Sequence, residues 1–162
     1  MRVFSQTFGV VGAILERDGK ILLAKEGKSF KDNDTGKWSH PAGWIDVGED
    51  PIEAVEREVL EESGFEFEPT ALLGVYSLVR KDSENLLGAL PHAIKIIFKG
   101  KILHHEPKIL SHEITETKWF TPEEIFTMGG ATLRDVDIKQ MVKDYFDGKE
   151  VPLDFITHTM QR

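Results

Sequence analysis

The chain has 162 residues, a formal net charge of −8 and no cysteine. This length predicts one domain over residues 1–162, and the lack of cysteine excludes a disulfide framework, a thiolate metal site and a cysteine nucleophile. The acidic balance argues against nucleic-acid binding. With no secretory signal and no long apolar segment, the sequence predicts a cytoplasmic protein that does not span a membrane.

The first part of the chain predicts a β-hairpin followed by a loop. Residues 8–15 (FGVVGAIL) are apolar and rich in β-branched side chains, as strands are. Asp18-Gly19 is a hairpin turn signal, so residues 20–26 (KILLAKE) are predicted as the returning strand. Residues 26–37 are polar and rich in turn formers, which predicts a loop.

A helix is predicted from Pro51 to about Ser63. Proline is tolerated in the first turn of a helix, and Glu49 or Asp50 stands where a capping side chain would accept backbone N–H groups. Gly64 follows in the position where glycine commonly ends a helix.

The second half of the chain predicts strands followed by helices. Residues 66–80 and 92–103 are predicted strands, joined by a loop, and a shorter strand ends at Trp119-Phe120. Thr121-Pro122-Glu123-Glu124 predicts a capped helix start, and a final helix is expected at about 134–148. The order of elements predicts one mixed α/β domain of the α+β kind.

The negative charge is concentrated in residues 43–65, which hold eight acids and one base. Successive residues of a helix are separated by about 100°, so Glu58, Glu61 and Glu62 share one face of the predicted helix. Two interpretations are open at this point. The face is a solvated acidic surface, or it is a site for a hard divalent cation such as Mg²⁺ or Mn²⁺, which prefers carboxylate oxygens.

The wider spacing resembles a known motif. The residues Gly43-x5-Glu49-x7-Arg57-Glu58-Val59-x-Glu61-Glu62-x-Gly64-Phe65 match the Nudix box at every defined position. The resemblance extends to the flanks, through a hairpin before the box, Trp38-Ser-His-Pro-Ala-Gly leading into it, and the stretch from Glu113 to Glu124 after it. It implies the Nudix fold, a mixed β-sheet sandwiched between helices with a loop–helix–loop motif.

The resemblance also implies a metal site. The matching ligands of Mg²⁺ or Mn²⁺ are Glu58, Glu61 and Glu62, and the resemblance adds the backbone carbonyl of Ala42. The family more commonly has Pro-Gly-Gly before the box, so Ala42 is a departure. Alanine keeps the carbonyl acceptor, and the departure therefore leaves this ligand intact.

The other box residues have supporting roles. Arg57 lies one helical turn before Glu61 and can orient its carboxylate through an i, i+4 ion pair. Glu49 is expected to fix the loop to the helix, while Gly43 and Gly64 serve backbone geometry.

A general base is also expected, because attack by water on phosphorus needs a proton acceptor. The family places this base either within the box or on a later loop. Glu58 is the first candidate, and Glu113 and Glu116 are the loop candidates. For these two, a solvated turn before a strand is an equal alternative.

The substrate pocket is assigned to residues outside the box. Lys95 and Arg80 are basic groups that could meet phosphates, although either could be an ordinary surface cation. His40 precedes Pro41 and could line the pocket. Four aromatic residues could stack on a base, with core packing as the alternative: Phe4, Phe8, Phe30 and Trp38.

Two further stretches look like the small Nudix phosphatase subgroup, whose members act on nucleoside tri- and diphosphates and on thiamine pyrophosphate-type compounds. These stretches are Trp38-x-x-Pro-Ala-Gly-x-x-Asp46 and Tyr145-x-x-Gly148-x-x-x-Pro152-Leu153-Asp154. They imply a metal-dependent hydrolase of phosphoanhydride bonds in a small nucleoside-phosphate substrate, with release of orthophosphate.

Other activities stay open at this point. An ADP-ribose or dinucleoside-polyphosphate pyrophosphatase is the alternative among enzymes, and a non-catalytic nucleotide sensor is the alternative from another class. Isopentenyl diphosphate isomerase chemistry is disfavoured, because it uses a cysteine. A homodimer is left open, since family members differ in whether a dimer partner completes the pocket.

Overall fold

The computed structural model describes residues 7–27, 34–80, 92–105 and 111–161. The strands are β1 (Thr7–Ala13), β2 (Glu16–Arg17), β3 (Lys20–Glu26), β4 (Trp38–Ser39), β5 (Ala42–Trp44), β6 (Phe65–Val79), β7 (His92–His105), β8 (Ile114–Phe120) and β9 (Val151–Pro152). The helices are α1 (Pro51–Ser63), α2 (Pro122–Thr127) and α3 (Ile138–Phe146). The predicted loop at 81–91 and half of the one at 26–37, residues 28–33, lie outside the described residues.

The predicted turn and returning strand are confirmed, but the strand predicted at residues 8–15 is not the hairpin partner. The short β2 pairs with β3, whereas β1 pairs with β5 and β7. Asp18 and Gly19 have φ angles of 52° and 76°, the left-handed geometry that matches a two-residue turn to the twist of its strands. The Glu16 carboxylate accepts a hydrogen bond from the Gly19 N–H at 2.6 Å.

Within the described residues, the strands form two sheets. The first has the order β5-β1-β7-β6-β9, in which β1 runs parallel to β7 and the other neighbours are antiparallel. In the second, β3 pairs antiparallel with β2, β4 and β8. The first sheet is therefore mixed, as expected.

Helices cover both faces of the sheets. Successive side chains of a strand point to opposite faces, and the neighbours Leu72 and Leu73 accordingly belong to two different core clusters. One cluster includes Val55 and Val59 of α1, and the other includes Met141 of α3. This arrangement confirms the predicted α+β architecture with a mixed sheet between helices.

The helix α1 has the predicted ends. The Asp50 side chain caps it by accepting a hydrogen bond from the Ile52 N–H at 2.8 Å. Gly64 adopts a φ of 72°, and its N–H donates to the Leu60 carbonyl. Gly64 is thus needed for its left-handed conformation.

The later helices agree with the prediction at α2 but not at α3. Thr121 and Glu124 form the expected capping box of α2. The last helix was predicted to begin near residue 134, which is wrong, because α3 begins at Ile138. The Arg134 N–H instead donates to the Trp38 carbonyl, so this segment pairs with β4. No helix in the described part of the chain is long and apolar enough to cross a membrane.

Candidate active site

One face of α1 brings the three predicted carboxylates into a single cavity. Glu58, Glu61 and Glu62 all line this cavity, whose volume is about 840 Å³. Glu58 and Glu62 are buried, whereas Glu61 is partly exposed. The adjoining face, with Val55 and Val59, is fully buried in the core, and this packing fixes the rotation of the helix. We call the three glutamates the carboxylate wall.

Arg57 holds the carboxylate wall and the preceding loop together. Its guanidinium binds Glu49 through two hydrogen bonds of 2.8 and 2.9 Å. It also donates to Glu58 Oε1 at 2.6 Å and to the Trp44 carbonyl at 3.2 Å. Glu61 Oε2 is farther from Arg57 Nη1, at 3.7 Å. Arg57 therefore contacts Glu49 and Glu58 more closely than the Glu61 partner that the helix spacing predicted.

Gly43 provides space for the carboxylate wall. A Cβ atom at this position would overlap the carboxylate of Glu58. The side chain of Glu58 consequently lies against the backbone of β5. Gly43 has no positive φ angle, so the requirement for glycine here is steric.

The edge of β5 faces Glu62. Hydrogen bonds join β1 to the β5 segment at two opposite pairs, from the Ala13 N–H to the Pro41 carbonyl and from the Ile45 N–H to the Gly9 carbonyl. In an antiparallel pair every second residue is bonded to the opposite strand, and Ala42 is next to the bonded Pro41. The N–H and carbonyl of Ala42 therefore point away from β1. The N–H donates to Glu62 Oε2 at 2.9 Å. The carbonyl leaves the strand on the same side.

The alanine at position 42, which departs from the family pattern, is accommodated by Gly12. Gly12 lies opposite Ala42 in the register of β1 and β5. A Cβ at position 12 would approach the Ala42 Cβ to 2.8 Å. The glycine across the strand pair therefore makes room for the extra methyl group.

Burial shapes the charges of the carboxylate wall. It raises the pKa of Glu62 to about 8 and raises the pKa of Glu58 above its ordinary value, in spite of the hydrogen bond from Arg57. The more exposed Glu49 shows the opposite effect, because its hydrogen bonds from Arg57 lower its pKa. A cation close to the wall would favour the ionised forms of the buried pair.

The donors of the carboxylate wall fit a hard divalent cation, which prefers oxygen ligands. They are three carboxylates facing one cavity, beside a backbone carbonyl that is free of the sheet ladder. Among residues 7–27, 34–80, 92–105 and 111–161, however, no three acidic or imidazole side chains converge as ligands. Glu58 is paired with Arg57, and Glu62 with the Ala42 N–H. The metal ligands stay a prediction.

A second set of charged residues lines the same cavity, which we call the ion-paired wall: Asp34, Arg80, Lys95, Arg134 and Asp135. Lys95 is 3% exposed, and its Nζ lies 2.8 Å from Asp135 and 3.0 Å from Asp137. Arg80 donates two hydrogen bonds to Asp34, at 2.7 and 2.8 Å. Lys95 and Arg80 are therefore not ordinary surface cations, and their contact with phosphates stays a prediction.

The charges of the ion-paired wall are mutually stabilised. Burial opposes the ionisation of Asp34, but the hydrogen bonds from Arg80 and the positive charges of Arg80, Arg134 and Lys37 together outweigh it and hold the pKa of Asp34 below its usual value. Arg134 donates to Glu26 at 2.8 Å. Residues from distant parts of the chain thus neutralise one another inside the cavity.

His40 lies between β4 and β5 and lines the cavity. It is 1% exposed, and neither imidazole nitrogen has a hydrogen-bond partner within the described residues. Burial, together with the nearby charge of Lys95, lowers the pKa of His40 to about 3. The imidazole is therefore neutral at neutral pH.

The two loop candidates for a general base differ in position. Glu113 lies in the turn before β8 and lines the cavity. Glu116 was expected on a loop, which is wrong, because it lies within β8. There it is opposite Lys25, and the two side chains are 3.4 Å apart at the surface. Glu116 does not line the cavity.

The aromatic candidates for stacking on a base lie in different surroundings. Phe8 lines the cavity and stacks on Trp44, with ring centroids 5.0 Å apart and an interplanar angle of 12°. Trp38 packs in the core against Phe120. Phe4 and Phe30 lie outside the described residues.

Sequence reasoning missed several cavity residues, namely Glu26, Asp34, Trp44, Arg134 and Asp135. The acidic and basic members are scattered along the chain, so no spacing pattern relates them. Trp44 carried a usable signal, since a large aromatic side chain stands directly after the first glycine of the box.

Known proteins resemble this chain over most of its length. The family model of the NUDIX domain matches residues 6–144. An ADP-ribose pyrophosphatase of Methanocaldococcus jannaschii is 31% identical over 149 residues, which are 91% of this chain and 78% of that protein. The phosphatase NudJ of Escherichia coli K12 is 26% identical, over 90% of this chain and 88% of its own length.

A solved structure of this family has the same fold as this chain. The solved structure of a NUDIX hydrolase from Nitrosomonas europaea superposes with a TM-score of 0.82 at 31% identity, covering 95% of this chain and 98% of that one. The box residues, the fold and the extent of these matches agree. The chain belongs to the Nudix hydrolase family.

Proposed function

We propose that this chain hydrolyses phosphoanhydride bonds in nucleoside di- and triphosphates and in thiamine pyrophosphate-like compounds, and that it requires Mg²⁺ or Mn²⁺. The observation that carries this proposal is the placement of three carboxylates on the wall of one cavity of about 840 Å³. Sites for small ligands have about this volume. The similarity to a phosphatase over 90% of this chain supports a reaction that releases orthophosphate.

Glu58, Glu61 and Glu62 would hold the cation, with the carbonyl of Ala42 as a further oxygen ligand. When bound, the cation would supply neutralisation of the phosphate charge and activation of water. Arg57 keeps Glu58 at the wall through its hydrogen bond to Oε1. Glu49 in turn holds Arg57 from the loop side.

Glu58 is the proposed general base. A water oxygen attacks the phosphorus atom, the bridging P–O bond breaks, and the water proton passes to Glu58 Oε2, the oxygen that Arg57 does not bind. Burial raises the pKa of Glu58, whereas a bound cation would favour its ionised form, which is the form that accepts a proton. Glu113 is the alternative base, because it lines the same cavity.

A second candidate function is hydrolysis of ADP-ribose to AMP and ribose 5-phosphate. The 31% identity to an ADP-ribose pyrophosphatase over 91% of the chain favours it. Both candidates use the same carboxylates and differ in the phosphorus atom that is attacked.

The products distinguish the candidates. The purified chain is incubated with Mg²⁺ and nucleoside triphosphates, thiamine pyrophosphate, ADP-ribose or dinucleoside polyphosphates, with and without excess EDTA. We expect orthophosphate from triphosphates and thiamine pyrophosphate, and no turnover in EDTA. Pyrophosphate and a monophosphate from the triphosphates, or a hundredfold preference for ADP-ribose, would contradict the phosphatase assignment. Full turnover in EDTA would contradict the metal requirement.

A further inference from the structure

Trp44 is an exposed aromatic residue inside the candidate active site. It lines the same cavity as the carboxylate wall, yet 59% of its surface is exposed. Phe8 stacks nearly parallel to its indole ring. Because Phe8 covers one face of the ring, the exposure of Trp44 belongs to the opposite face and the ring edge.

Apolar side chains surround this stack on the sheet. Trp44 is opposite Val10 in the register of β1 and β5, and Phe8 lies two residues before Val10 on the same face. Ala93 is next to Phe8 on β7, and Leu78 is next to Ala93 on β6. All of these residues line the cavity. Lys95 lies beside Val10 in the same register, but its ammonium group is paired with Asp135 and Asp137. This part of the cavity surface therefore suits a flat apolar group.

The backbone of Trp44 is held next to the carboxylate wall, and the stack with Phe8 holds its ring. The carbonyl of Trp44 accepts a hydrogen bond from Arg57 Nη2, the same side chain that binds Glu58. The preceding residue, Gly43, lies directly against the Glu58 carboxylate. A ring stacked on Trp44 would thus have a defined distance to the phosphates.

We propose that Trp44, supported by Phe8, is the platform on which the heteroaromatic ring of the substrate stacks. This inference rests on the proposed function, in that it takes the cavity to be the substrate site. Every nucleobase has a π-face, so stacking on an indole tolerates different bases. A platform of this kind would bind the ring end of the substrate while the carboxylate wall acts at the phosphate end.

The test measures binding without turnover. Isothermal titration calorimetry, with no divalent cation present, compares AMP, thiamine monophosphate and ribose 5-phosphate, which has no aromatic ring. In Trp44→Leu we expect the Kd of AMP to rise about tenfold, as for the loss of a stacked base, with ribose 5-phosphate unchanged. Trp44→Phe should retain most of the affinity. Trp119→Phe is the matched control, because Trp119 packs on Phe65 and does not line the cavity.

Each binding result either supports or overturns the role of Trp44. A tenfold loss for AMP, for thiamine monophosphate or for both supports the platform and identifies the ring that it takes. Equal losses for AMP and ribose 5-phosphate would overturn it, because Trp44 would then only maintain the shape of the cavity. Wild-type protein that binds AMP no more tightly than ribose 5-phosphate would overturn it as well. Failure to hydrolyse any substrate would contradict the proposed function while leaving the binding result intact.

Discussion

The two walls of the cavity differ in how far their acidic side chains are paired with cations. The carboxylate wall places three acids on one helix turn, with Arg57 as their nearby cation. The ion-paired wall joins Asp34, Arg80, Lys95 and Asp135 into pairs that neutralise one another. The first wall therefore has more carboxylates than cations and suits a bound cation, whereas the charges of the second are largely neutralised by their own ion pairs.

The largest effect is expected on stability, at the ion-paired wall. Lys95→Met leaves Asp137 partly buried without its ammonium partner and leaves Asp135 with only Arg80 among the described residues, at 3.6 Å. We therefore expect the free energy of unfolding to fall by about 3 kcal/mol, the lower end for a broken buried pair. Urea denaturation measures it, with Lys101→Met, an exposed lysine of the same strand, as control. Equal midpoints for the two variants would mean that the ion-paired wall contributes no more than a surface pair.

The carboxylate wall should respond in activity and not in stability. Glu58→Gln should lower kcat about a hundredfold, as expected for loss of a general base. Glu61→Gln and Glu62→Gln should each lower it at least about tenfold, or ~1.4 kcal/mol. The free energy of unfolding should stay the same or rise, since like-charge repulsion is relieved.

Steady-state kinetics and urea denaturation check these variants, with Glu53→Gln as the control. Glu53 is an exposed acid of the same helix that does not line the cavity. Unchanged rates in all three wall variants would return the interpretation to a solvated acidic face.

Gly43→Ala tests whether the position of Glu58 matters separately from its charge. The added methyl group overlaps the Glu58 carboxylate, so the carboxylate must move and kcat should fall about tenfold, ~1.4 kcal/mol. Kinetics of the double variant with Glu58→Gln should show strong non-additivity. Gly129→Ala, where a Cβ meets no atom within 4 Å, is the control. Additive losses would show that Gly43 acts independently of Glu58.

The smallest effect is expected at Glu113. This side chain is exposed, and Glu113→Gln should lower kcat by less than about threefold, ~0.7 kcal/mol. Glu116→Gln, outside the cavity and paired with Lys25, provides the comparison. A hundredfold loss in the Glu113 variant alone would move the base from the carboxylate wall to the turn before β8.

Local patterns predicted much of the fold. The hairpin turn at Asp18-Gly19, the ends of α1 and the capping box of α2 depend on residues a few positions apart, and all three are confirmed. The predicted start of the last helix is wrong, because the backbone near residue 134 pairs with the backbone of β4. A partner almost a hundred residues away leaves no local signal.

The sequence by itself determined the carboxylate wall, because a helix of 3.6 residues per turn places Glu58, Glu61 and Glu62 on one face wherever the helix lies. Only the tertiary structure decided what faces them. Asp34, Arg80, Lys95 and Asp135 meet because β-sheet pairing and the segment before α3 bring distant residues to one cavity. The stack of Phe8 on Trp44 has the same origin, since strand register places their side chains on one face of the sheet.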